Sequence, residues 1–142
     1  MSSPSLQPAT GSSNTLRSVG ALLAGLLAGA FLSLATDLLM TAIGVLPGLG
    51  KPAGDKALLI ATVYRTVFGI AGAYITALLA PNRPMAHAMI LGVVGLIVSV
   101  AGAVFTWNHQ PPLGPHWYPV ALIVLAIPTA WIGGKLRVSQ TQ

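Results

Sequence analysis

The chain has 142 residues, of which 54% are hydrophobic and 6% charged, and its formal net charge is +5. Soluble domains carry about 25% charged residues, so this chain lacks the material for a water-facing surface. Its excess of base over acid comes from scattered Lys and Arg with no basic run, so no nucleic-acid partner is expected, and the absence of cysteine excludes disulfides and thiolate chemistry.

Residues 1–16 are rich in Ser, Thr, Pro and Gly without apolar periodicity, which predicts a disordered tail. Arg17 followed by an apolar run has the form of a signal peptide, with Ala28-Gly29-Ala30 as a cleavage site. The apolar stretch nevertheless continues over 19–45, far beyond a signal core, and is expected to stay as a first membrane helix. A hydrocarbon core of ~30 Å needs about 20 helical residues, and four segments supply them. They are 19–45, stopped by the Pro/Gly turn at 47–50; 57–79, stopped by Pro81 and Pro84; 87–107; and 119–136, in which Pro128 predicts a kink. These runs are continuously apolar and lack the alternation of a membrane barrel. The expected fold is all-α: a polytopic membrane protein with four transmembrane helices over 17–137, in a compact bundle of two helical hairpins, followed by a tail at 138–142.

The basic residues set an orientation. Arg17, Arg83, Lys135 and Arg137 fall at one end of such a bundle; Lys51 and Lys56, offset by Asp55, fall at the other. The positive-inside rule then puts both termini in the cytoplasm, with Trp107, Trp117 and Tyr118 as an aromatic belt at the outer interface.

Two ionisable residues lie within the apolar segments. Asp37 and Arg65 are each fourteen residues from Lys51, so an antiparallel hairpin centred there sets acid and base at one depth. A lone charge near mid-bilayer costs on the order of 2.5–3.5 kcal/mol, so such residues are normally paired or functional. Small residues follow the same register. Ala21, Gly25, Gly29 and Ser33 lead to Asp37 at steps of four, and Ala61, Arg65, Gly69, Ala73 and Ala77 repeat the spacing on the second helix. The hairpin then faces Ser33 to Gly69, Gly29 to Ala73 and Gly25 to Ala77, a close-packed seam of the kind that joins membrane helices. Thr36, Thr41, Thr62 and Tyr64 are at hand to satisfy the charges. The pair reads either as a structural clamp or as part of a proton or ion path; the first is favoured because the only other acid, Asp55, lies in a loop.

On the third helix Ala88, Gly92, Gly95, Ser99, Gly102 and Thr106 recur at alternating steps of four and three, which predicts packing against another helix of the bundle or of a second copy. Other candidates are poor. His109 and His116 offer two ligands where zinc needs three or four, so no metal is expected. Gly48, Gly50 and Gly54 follow no strand and precede no Gly-Lys-Ser/Thr, so they form no phosphate loop. Ser12 and Ser13 lie in the tail, unsuited to a nucleophile. No catalytic constellation is visible, and neither an enzyme nor a cofactor is expected.

The chain carries Ala35-Thr36-Asp37, the turn from Lys51-Pro52 to Asp55, Ala61-Thr62 with Tyr64-Arg65, and Ala80-Pro81-Asn82-Arg83-Pro84-Met85. It continues with Gly114-Pro115-His116-Trp117-Tyr118-Pro119 and Trp131-Ile132-Gly133-Gly134-Lys135. In these residues it resembles a family of small four-helix bacterial membrane proteins with no assigned activity. The resemblance implies a bacterial inner-membrane location and carries over no chemistry.

Two functions remain. One is a structural or accessory subunit of a membrane complex; the other is a small oligomeric transporter or channel with Asp37 and Arg65 on its path. The expected partners are the lipid bilayer and either further copies or a larger membrane complex.

Overall fold

The computed structural model describes residues 10–48 and 50–142, which form four helices and no strand: α1 (Thr10–Ala42), α2 (Asp55–Leu79), α3 (Pro84–Trp107) and α4 (Trp117–Gln140). Each is long and apolar enough to cross a membrane. Of the expected disordered tail, residues 1–9 lie outside the described residues, as does Leu49 of the first turn; from Thr10 onward the tail is helical. No proline interrupts 9–46, and the hydroxyl of Thr15 folds back onto the Gly11 carbonyl at 2.9 Å, so nothing local stops the helix.

The other ends shift for equally local reasons. α1 stops at Ala42, ahead of the expected 45, because Gly44 takes a left-handed conformation (φ 82°) and turns the chain back. α2 begins at Asp55, whose carboxylate suits a helix N-terminus, and ends before Pro81. α3 starts at Pro84, the first-turn position where a missing N–H costs nothing. α4 continues through Pro128 and four residues past the expected 136.

Successive helices form two antiparallel hairpins, α1–α2 and α3–α4, joined by a broad contact between α2 and α4. Among the described residues α1 packs lightly on α3 and does not pack on α4, so α2 is the central helix. At the end that bears Lys51 the two hairpins are tied: the Ala53 N–H donates to the Leu113 carbonyl at 2.9 Å, and the Trp117 indole N–H donates to Asp55 at 2.8 Å.

The core is made of small side chains. Ala73, Ala77, Ala88 and Ala130 form its centre, with Leu91 packed against them. The bulky groups point outward, Phe31, Val104 and Phe105 being 71%, 73% and 80% exposed. That inversion is expected where the surrounding medium is as apolar as leucine and helices associate by close backbone approach.

Candidate functional site

Asp37 and Arg65 meet. The Arg65 guanidinium donates from Nη2 to Asp37 Oδ2, and the Tyr64 hydroxyl donates to Asp37 Oδ1, so both carboxylate oxygens are occupied from α2. Of the four neighbouring hydroxyls expected to help, Tyr64 alone reaches the carboxylate; Thr62 bonds its own helix at Leu58 O, 2.8 Å away. The side chain of Asp37 is 14% exposed and that of Arg65 35%, while Arg65 Nε is buried with no hydrogen-bond partner among the described residues.

Two cavities flank the pair. One, of about 460 Å³, lies between α1 and α3 with α2 and α4 as its floor; the other, of about 610 Å³, reaches toward Lys51 and His116. Asp37, Arg65, Ser99 and Leu122 line both. The ion pair therefore stands at the septum between them.

The small-residue seams are arranged differently from the expected stripes. A Cβ on Gly25 would lie 2.4 Å from the Gly72 carbonyl oxygen and 1.9 Å from Thr76 Oγ1, and one on Gly72 would lie 2.7 Å from the Gly25 oxygen. The Thr76 hydroxyl adds a hydrogen bond to the Ala21 carbonyl at 3.1 Å. The row of α2 that faces α1 is thus Tyr64, Phe68, Gly72 and Thr76, one residue round from the expected row. Gly69, Ala73 and Ala77 turn toward α4 and the core: a Cβ on Gly69 meets Thr129 Cγ2 at 2.7 Å, and Gly133 would meet Ala73 Cβ at 2.6 Å. Ser33 and Gly69 share the first cavity rather than a tight contact. Arg65 still finds Asp37 because its long side chain spans the one-residue rotation.

On α3 the expected stripe divides. Gly92 packs on α4, where an added Cβ would lie 2.6 Å from Ala130 Cβ, but a Cβ on Gly95 or Gly102 would meet nothing within 4 Å. Those two glycines and Ser99 line the cavities instead of a helix. Conversely, Gly133 and Gly134 were not among the expected packing residues, yet one faces α2 and the next faces Met85 and Ala88 of α3.

The loop histidines each have their own partner. His116 stacks on Trp107 (centroids 4.1 Å apart, 8° between planes) and its Nε2 bonds the Trp107 carbonyl at 3.1 Å; His109 Nδ1 bonds Pro111 O at 3.0 Å. Among the described residues no group of three His, Cys, Asp or Glu is placed to hold a metal. No protein-family pattern, curated protein or solved structure matches the chain.

Proposed function

We propose that this protein is a non-enzymatic accessory subunit of a membrane complex, seated in a bacterial inner membrane with both termini in the cytoplasm. The observation that carries the reading is the closure of Asp37 within its own chain. A relay acid needs a neighbour with which to exchange a proton; both oxygens of this one are held by Tyr64 and Arg65, and Asp55 is engaged with Trp117. Such closure suits a clamp that fixes the α1–α2 register. On this reading the protein, purified in mild detergent, carries a second membrane protein at constant stoichiometry, seen by mass spectrometry of the intact assembly. Recovery as a single copy with nothing attached would contradict it.

The orientation rests on Arg17, Arg83, Lys135 and Arg137 at one end against Lys51 and Lys56 at the other, and the location on the resemblance in the motifs quoted above. The chain has no native cysteine, so single substitutions report cleanly. With an impermeant thiol reagent on intact cells, Lys51→Cys and His109→Cys are labelled and Arg83→Cys is protected until the membrane is opened. Labelling of Arg83→Cys with protection of Lys51→Cys reverses the orientation.

A second reading, a small oligomeric transporter or channel, draws support from the two cavities that meet at the pair. Function then depends on the charges themselves rather than on the stability they provide.

A further inference from the structure

The open face of α3 stands apart from the other small-residue rows. Gly25, Gly72, Gly133 and Gly134 each bring a neighbouring helix to within close contact, but Gly95 has nothing within 4 Å of its Cβ position. Small residues on a membrane helix ordinarily admit a second helix. Here they hollow out a groove, bounded by α1, which packs only lightly on α3. Two residues of its lining, Leu26 and Leu34, are 38% and 52% exposed, so the groove opens sideways, at the level of the bilayer chains.

Charge is unevenly distributed at the head of this groove. Arg65 is the more exposed member of the pair, its side chain 35% exposed against 14% for Asp37. A guanidinium presents five N–H donors in a fork that fits an oxyanion, and Asp37 takes only the Nη2 edge. Beyond the septum the second cavity adds Lys51 and His116, so two fixed cations and one fixed anion line the combined space.

From this geometry we infer that the groove binds a single-chain anionic amphiphile, a long-chain fatty acid, with its carboxyl group on the exposed edge of Arg65 and its alkyl chain lying past Gly95 toward Gly25. The volume of about 460 Å³ lies in the small-molecule range of ~300–1,000 Å³ and is mostly apolar in lining. Depth selects the headgroup. Arg65 is ten residues into α2, roughly 15 Å along the helix, below the level at which a phospholipid phosphate sits. A carboxyl group is small, reaches that depth as the neutral acid without the cost of a buried charge, and is received there by the guanidinium. This inference goes beyond the accessory-subunit reading and does not depend on it.

The full chain in phosphatidylcholine nanodiscs, titrated with radiolabelled palmitic acid, binds it saturably at one per protein. Gly95→Leu occupies the groove without striking another atom at its Cβ and replaces a helix-destabilising residue, so folding persists while binding weakens about tenfold or more. The neutralised pair, Asp37→Asn with Arg65→Gln, weakens binding about tenfold through loss of the charge-assisted hydrogen bonds. Hexadecanol, with the same chain and no acid, fails to displace palmitate. Equal palmitate binding by Gly95→Leu and the wild type overturns the assignment, as does displacement by hexadecanol, which would mean that any lipid chain fills the groove. Competition by phosphatidylglycerol at equal concentration assigns the site to bulk anionic lipid and equally overturns it. A shift of Gly95→Leu from oligomer to monomer, with no palmitate bound by the wild type, would identify a second copy of the chain as the occupant instead.

Discussion

Asp37→Ala and Arg65→Ala each lower the stability of the folded protein by about 3 kcal/mol, and the exchange Asp37→Arg with Arg65→Asp returns part of the loss. Removing one member of a buried pair leaves an uncompensated charge in low dielectric, which costs ~3–5 kcal/mol; the lower end applies because Arg65 retains 35% exposure. The exchange keeps one acid and one base at the same two positions, so the coupling energy survives in a double-mutant cycle. Thermal unfolding in detergent measures all three variants. Additive damage in the exchange, with normal expression of both single variants, would show that the side chains do not act on one another. The transport reading makes a different demand. There, Asp37→Asn leaves unfolding nearly unchanged and abolishes solute passage in proteoliposomes.

Gly25→Ala is expected to lower stability by about 1–3 kcal/mol through overpacking, while Gly29→Ala in the same row is tolerated. The two positions look alike in sequence, yet the added methyl at Gly25 strikes the Gly72 backbone at 2.4 Å, and at Gly29 the nearest atom is the Phe68 oxygen at 3.4 Å. A side-chain hydroxyl can rotate aside, but the backbone of a central helix cannot. Gly69→Leu, on the neighbouring row, drives α2 away from Thr129 of α4 rather than away from α1. Matching thermal midpoints for Gly25→Ala and Gly29→Ala would rule out the seam as described.

The four helices were legible because 20 or so consecutive apolar residues leave few other folds. Their ends were less so, since Gly44 and Pro84 act through a backbone angle and an absent N–H that hydropathy does not register. The meeting of Asp37 with Arg65 was legible from their symmetry about Lys51. Which face of α2 met which neighbour was not. On that helix Gly72 and Thr76 lie one residue round from Gly69, Ala73 and Ala77, and periodicity does not say which set belongs to α1 and which to α4. The signal available was Gly72 and Thr76, which continue the Tyr64 row at steps of four. A void has no periodicity of its own, so the small face of α3 read as a helix contact until the position of α1 was known. Gly133-Gly134 was visible as a motif, but a doublet facing two different helices follows no single stripe.

The pairing of Asp37 with a residue of the next helix has a consequence for biosynthesis. Asp37 emerges from the ribosome 28 residues ahead of the guanidinium that neutralises it, an interval of a few seconds at ~5–20 residues per second. During that time α1 has neither Arg65 nor Tyr64, and none of the later helices has yet been made. Entry of Asp37 into the bilayer is therefore least costly once α2 has been made and the two helices partition together. Once the chain has passed Asp37, it presents an orphan charge to lipid until the hairpin is complete, so a product truncated between Asp37 and Arg65 is expected to be cleared by membrane quality control rather than to persist as a shorter version of the protein.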